Sequence, residues 1–167
     1  MIAGDSHANW VSDLVWLDHE DYDPSTGNGS IGVEFAGTAV SSPSPAGQNI
    51  SIANANIASR SLIGANEELQ WSELYYRGYY ELHVSKQQVK AQYYGLPTIV
   101  TRNPGEISLA NFTVQAGANR LQRFNGSVVS GPVENGAVKF GQTVQTNLTN
   151  STNTGLYYIS HNNTEDI

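Results

Sequence analysis

The chain has 167 residues, 39% hydrophobic, 10% aromatic and 14% charged, enough for one domain with a buried core. Fifteen Asp and Glu against eight Lys and Arg leave a net charge of −7, which argues against bulk nucleic-acid binding, where a basic surface displaces counterions. No stretch approaches the ~18 apolar residues of a membrane span, and the absence of cysteine excludes both a disulfide framework and a thiolate metal site.

Residues 1–4 read as the end of a buried strand, and residues 5–10 as the loop that leaves it. Residues 11–17 are apolar enough for one helical turn or a packed loop. Residues 18–30 form an acidic, Gly-rich loop, after which residues 31–40 alternate branched, aromatic and small side chains as a buried strand does. Pro43 and Pro45 make residues 41–47 a loop. Ile50, Ala53, Ile57, Ala58 and Leu62 recur at three- and four-residue spacing, which predicts a helix within residues 48–66.

Residues 72–84 carry the strongest local pattern and read as one strand. Leu74, Tyr76, Tyr80 and Leu82 fall on one face, and Glu73, Tyr75, Arg77, Tyr79 and Glu81 on the other. A turn at Ser85 and Lys86 leads into residues 87–94, with Val89, Ala91 and Tyr93 on one face, so the pair predicts a hairpin. A further strand over residues 107–115 turns Ala110, Phe112 and Val114 inward and Asn111 outward. Beyond Gly117 only brief apolar pieces remain, at 128–129, 137–140 and 156–159; they read as short edge strands and a frayed tail. No repeat of fixed period is present.

The pattern N-x-[ST] occurs seven times, at Asn28, Asn49, Asn111, Asn125, Asn147, Asn150 and Asn162. This composition yields roughly three by chance, and the excess points to a glycoprotein of the secretory pathway. The opening residues have neither the basic region nor the apolar stretch of a signal peptide. The expectation is a secreted protein whose natural start lies upstream, so that this chain is a fragment.

The sharpest chemical feature is Gly4-Asp5-Ser6-His7-Ala8-Asn9-Trp10. Asp5 and His7, two apart at a strand's end, can project to the same side. A carboxylate and an imidazole there can hold a hard cation, or the imidazole can donate to a phosphate oxygen. Open α/β sheets hold ligands at such carboxyl ends. The same residues fit local turn chemistry equally well, with Asp5 capping the loop and His7 solvated. Arg77 has two readings as well. Its fork suits two phosphate oxygens, with Gly78 letting the strand bulge and re-aim it; or it stacks between Tyr75 and Tyr79.

Other candidates carry less. Asp21-Tyr22-Asp23-Pro24-Ser25 has the acid density of a calcium loop, but the required Gly is displaced and Gly32 stands where the twelfth-position Glu belongs. It reads as an acidic turn. His19, His83 and His161 have no partner at ligand spacing. The pairs Tyr75-Tyr76, Tyr79-Tyr80 and Tyr93-Tyr94 each split across a strand, half of each in the core; their outward halves are what a secreted β-rich carbohydrate-binding or adhesion module without catalysis would use.

The opening heptad resembles the GDxHxxW signature of the PhoD family of alkaline phosphatases. Val33-Glu34-Phe35-Ala36-Gly37-Thr38-Ala39-Val40-Ser41-Ser42 is similar to that family's VEFxGTxxxS segment, and Tyr76-Arg77-Gly78-Tyr79 resembles its RGY strand. Residues 106–114 and 117–121 look like fungal members in particular. The resemblance spans residues 1–125 in matching order and leaves 126–167 as a C-terminal extension with short edge strands and a flexible tail.

The resemblance implies a calcineurin-like metallophosphoesterase fold: mainly β with a few helices, here the C-terminal part of an α/β/β/α sandwich with metals at one end. It implies hydrolysis of phosphate esters by a hydroxide that a metal cluster activates, with calcium and iron as the metal types. Residue by residue, it implies Asp5 as a metal ligand, His7 beside the metal or the phosphate, Arg77 on the phosphate, and Asn9 and Trp10 in packing or supporting roles. In the family most metal ligands lie upstream of GDxHxxW. The isolated chain is therefore expected to be inactive, to need the missing N-terminal part of the same domain as its partner, and to be poorly soluble or oligomeric, because half a sandwich leaves a sheet face uncovered.

Overall fold

In the computed structural model, residues 1–128 are described except His19 and Asn103, together with the backbone of four short strands further along. Ile2–Ala3 (β1) runs parallel to Ser30–Ala36 (β3), with Ile2 opposite Phe35 and Ala3 opposite Ala36. Asn9–Val15 (β2) lies antiparallel to β3 on one side and to Leu69–Glu73 (β4) on the other, giving the order β1-β3-β2-β4. Gly78–Val84 (β5), Gln88–Gly95 (β6) and Ile107–Gln115 (β7) form a second, antiparallel sheet in sequence order.

One buried cluster joins the two sheets. Val11, Val33, Phe35 and Trp71 come from the first, and Tyr93, Leu109 and Phe112 from the second. Trp71 is its hub, with ring centroids 5.0 Å from Tyr93 and 5.5 Å from Phe112. Tilted aromatic contacts of this kind add roughly 1 kcal/mol each beyond the area they bury. The opposite face of the first sheet is covered by the helix Ile52–Ala65 (α1), whose Ala55 packs with Ala8 and Leu74. Ser51 caps α1, its hydroxyl accepting from the Asn54 amide at 3.2 Å. The layers are thus helix, four-stranded sheet and three-stranded sheet, a mainly β fold.

The largest differences from the sequence expectation concern two elements. Residues 11–17 are no helical turn, since β2 occupies residues 9–15. Asp13 hides the strand: it is fully buried on the face of Val11, where the alternation calls for an apolar side chain. Its carboxylate is matched in full. Arg123 Nη2 donates to Oδ2 at 2.6 Å, the Tyr22 hydroxyl donates there at 2.9 Å, and the Leu121 amide donates to Oδ1 at 2.9 Å.

Residues 72–84 are two strands in different sheets, not one. Glu73 makes the break. Its Oε1 accepts the amides of Tyr75 and Tyr76 at 2.6 and 3.0 Å, which removes both donors from any strand ladder. The chain turns there, so Leu74 packs under α1 while Tyr76 enters the core between the sheets.

Three smaller expectations also differ: Met1 and Ile2 are exposed, residues 9 and 10 already belong to β2, and Val128 lies outside any strand. A helix inside 48–66, a strand from the start of 31–40, the hairpin closed by Ser85 N–H donating to the Gln88 carbonyl at 2.9 Å, and β7 with Ala110 and Phe112 buried are as expected. In the expected extension, Val133–Glu134 (β8) pairs with Ala137–Val138 (β9), and Asn147–Asn150 (β10) with Tyr157–Ser160 (β11). The rest of 129–167, His161 included, lies outside the described residues, as does His19. Among the described residues no helix is long and apolar enough to cross a membrane.

Candidate active site at the His7 loop

Because β1 and β3 are parallel neighbours, their carboxyl ends open at the same end of the sheet. Gly4 to Ala8 follow β1, and Gly37 to Ser42 follow β3. Thr38 ties the two segments: its amide donates to Asn9 Oδ1 at 3.0 Å and its hydroxyl to the His7 carbonyl at 3.1 Å. Arg77 reaches in from the break between β4 and β5. Its Nη1 donates to the carbonyls of His7 at 2.9 Å and Ser42 at 3.0 Å, and its Nη2 to that of Leu74 at 3.2 Å.

This clamp holds an unfavourable backbone. Asp5 and His7 have φ of 72° and 57°, in the left-handed region, which costs a non-Gly residue about 1–3 kcal/mol and persists only where its surroundings fix it. The loop so bent leaves Asp5 exposed and His7 half-buried. His7 Nδ1 lies 3.2 Å from the Pro43 carbonyl. With the proton on Nδ1 this is a hydrogen bond, and Nε2 is then the lone-pair nitrogen, the form that ligates metal.

Beneath the loop sits a buried acid. Glu73 accepts both tyrosine amides and faces Asn9 Nδ2 at 3.5 Å. Burial pushes its carboxyl up to about 7, against the pull of the Tyr76 and Tyr75 amides, Arg77 and Asn9. Burial likewise draws the Arg77 guanidinium below its ordinary value, and the Glu73 carboxylate partly restores it.

The sequence profile of the PhoD-like phosphatases matches residues 1–93, more than half of these 167 residues. The chain belongs to the PhoD-like phosphatase family. Alkaline phosphatase D of Bacillus subtilis (strain 168) is 28% identical to it over 134 residues, 80% of this chain and 21% of the relative. The chain thus spans about a fifth of the curated relative's length. A solved structure of PhoD matches with a TM-score of 0.51 at 24% identity, over 80% of this chain and 23% of the other, a likeness of fold.

The three segments that meet at His7 all fall within the residues matched to the PhoD-like family, whereas the fungal-like stretch at 106–121 lies beyond them. Asp5 and His7 come from one loop. Arg77 joins them through backbone: it is 5% exposed and braces carbonyls. It is not stacked between Tyr75 and Tyr79, whose rings pack instead on Tyr76 at 5.0 Å and Tyr94 at 5.2 Å. Nor does Gly78 form a bulge; it pairs in register with Gly95. Tyr80 stacks on Tyr93 at 4.9 Å against the core, so Tyr79-Tyr80 and Tyr93-Tyr94 divide between the two faces, whereas Tyr75-Tyr76 lies in the break between β4 and β5 and splits across no strand.

Asp5 and His7 make two donors, and protein-bound metal ions take three or more. Among the described residues no three His, Cys, Asp or Glu side chains gather. These residues alone do not fit a metal ion. In the acidic turn the Asp23 carboxylate is satisfied locally: it accepts from Ser25 and Thr26, and the Ser25 hydroxyl above all lowers its carboxyl to about 2. His83 lies 3.6 Å from Glu81 on the exposed hairpin.

Thr38 and Glu73 are the residues the sequence reading missed. Thr38 stands inside the matched VEFxGT segment, a signal that could have found it. Glu73 lies in an alternating stretch where it reads as a solvated strand residue, and nothing local marks it. A cleft of ≈ 450 Å³ completes the corner; Arg77 lines it, as does Pro43, whose carbonyl meets His7.

Proposed function

We propose that this PhoD-like chain is part of a metal-dependent hydrolase of phosphate esters, of the alkaline phosphatase type. The observation that carries the reading is the meeting of the three family segments on the His7 carbonyl, which holds Asp5 and His7 at the carboxyl end of a parallel strand pair. The name of the Bacillus subtilis relative supports it.

In this reading Asp5 ligates a metal ion, and His7 meets the metal or a phosphate oxygen. Thr38 and Arg77 hold the loop in place. The other ligands would have to come from outside the described residues; metal ions so held, of the calcium and iron type the family resemblance implies, would supply charge neutralisation at the phosphoryl oxygens. The 167-residue chain alone does not turn over substrate. A secreted glycoprotein fits the sequons, of which Asn28, Asn49 and Asn125 are exposed.

The test is metal content and phosphate release by the complete gene product and its Asp5→Ala variant. The wild type should release phosphate only with metal bound. Asp5→Ala should bind less metal and lose at least ~100-fold in rate, since even residues that only support a ligand cost 10–100-fold. An Asp5→Ala enzyme with wild-type rate and metal content would sink the assignment.

A further inference from the structure

We infer that the cleft beside the His7 loop takes the organic group of the phosphate ester, and that it selects flat, apolar groups of aromatic size. The inference rests on the phosphatase reading and names a substrate class for it.

The charge of the lining is one-sided. Among the described residues Arg77 is its only charged member and no Asp or Glu lines it; Tyr75, Leu96 and Ile99 supply apolar surface, which Ser41, Gln48 and Thr98 share with polar groups. One cation beside apolar surface is the complement of an anion that carries an apolar body. Arg77 is 5% exposed and its Nε has no hydrogen-bond partner among the described residues. It makes no ion pair among the described residues, and the acid acting on its charge, Glu73, is itself buried and bonded to two backbone amides.

Position gives the same answer. Arg77 bonds the His7 carbonyl and Pro43 meets the His7 ring, so the loop and the cleft share a wall. A phosphoryl group at Asp5 and His7 has this cleft as the neighbouring space for what it is bonded to. Its ≈ 450 Å³ falls within the ~300–1,000 Å³ of small-molecule sites. The inference also accounts for Ile99 and Val100, large apolar residues left 45% and 89% exposed on the lining.

The test uses calorimetric binding of non-hydrolysable probes to the complete gene product. 1-Naphthylphosphonate should bind at least about tenfold more tightly than methylphosphonate, the factor expected from burying some 60 Å² of ring. Ile99→Gln combined with Val100→Gln, both exposed positions that leave the core intact, should erase that advantage. Ile57→Gln, exposed on α1, should keep it. Equal affinity for the two probes, or a naphthyl advantage that survives the double variant, would overturn the assignment. The two readings fail separately. A hydrolase that shows no naphthyl preference loses only the cleft assignment. A protein with the cleft preference but no metal-dependent phosphate release loses the phosphatase reading.

Discussion

Arg77 and His7 stand seventy positions apart, and the guanidinium of the first donates to the backbone carbonyl of the second at 2.9 Å. The same carbonyl takes the Thr38 hydroxyl at 3.1 Å. Two side-chain donors on one carbonyl fix a peptide whose φ is 57°, and so fix where the imidazole stands. The loop's chemistry therefore depends on residues that carry none of it.

Removing the brace should be costly. Arg77→Ala leaves the carbonyls of His7, Ser42 and Leu74 short of a donor, and at ~1–3 kcal/mol for each buried group left unsatisfied, partly relieved by entering water, the loss should be about 3 kcal/mol. Arg77→Lys should recover less than half, because an ammonium cannot reproduce the fork. Urea unfolding of the three proteins reads this directly. A Lys variant as stable as wild type would mean that charge, not geometry, holds the loop.

Glu73 should make stability fall as pH rises. Its carboxyl is raised to about 7 in the fold, above the 4.5 of an unperturbed glutamate. Between those values the folded state holds a proton the unfolded state has lost, so the slope of unfolding free energy with pH is negative. Over the window the decline amounts to about 3 kcal/mol. Glu73→Gln should start less stable, since its amide meets backbone N–H, but should lack this decline. The measurement is unfolding free energy from pH 4.5 to 7.5 for both proteins. Parallel curves would show that Glu73 ionises freely within the fold.

The buried pair of Asp13 and Arg123 should show strong coupling. Their side chains are 0% and 6% exposed and meet at 2.6 Å, with Tyr22 as a shared third partner. Arg123→Met alone strands a buried carboxylate and should lose ~3–5 kcal/mol. Adding Asp13→Leu should restore part of that, because two apolar residues of similar volume replace a buried ion pair at little loss. A double variant as unstable as the sum of the single ones would show that the two residues act independently.

These three sites also mark where the sequence is legible and where it is not. β7 follows from spacing because every inward position is apolar or small. β2 does not, since Asp13 stands inward and its ion-pair partner lies 110 positions away. α1 is a helix as expected, but on another face: Ala53, Ile57 and Leu62, whose spacing marked it, are exposed, and Ala55 and Ser59 are buried. The strand break after Glu73 depends on a carboxylate capturing amides two and three residues on, and alternation carries no trace of such a bond. That the segments carrying Asp5, His7 and Arg77 meet at one corner was legible from the family motifs. The brace at His7 was not, because a backbone carbonyl looks the same at every position of a sequence.

Gly78, next to Arg77, gives the last test, of whether strand packing and the loop are one unit. A Cβ there would overlap the carbonyl oxygen of Tyr94 and lie 3.1 Å from Gly95 Cα, all backbone of the partner strand. That backbone can yield only by opening β5 from β6 where Gly78 pairs with Gly95. At Gly37, by contrast, a Cβ would lie 2.6 Å from a ring carbon of Tyr80, a side chain able to shift. Gly78→Ala should therefore lose about 3 kcal/mol or more, and Gly37→Ala nearer 1 kcal/mol. The Gly78 amide also donates to the Ala39 carbonyl at 3.2 Å. Opening the strand start should therefore move Arg77 off His7, and the His7 ring resonances should shift by NMR. A core variant of comparable instability, such as Phe112→Leu, should leave those resonances in place. If it moves them equally, the shift reports general loosening rather than the link from Gly78 through Arg77 to the loop.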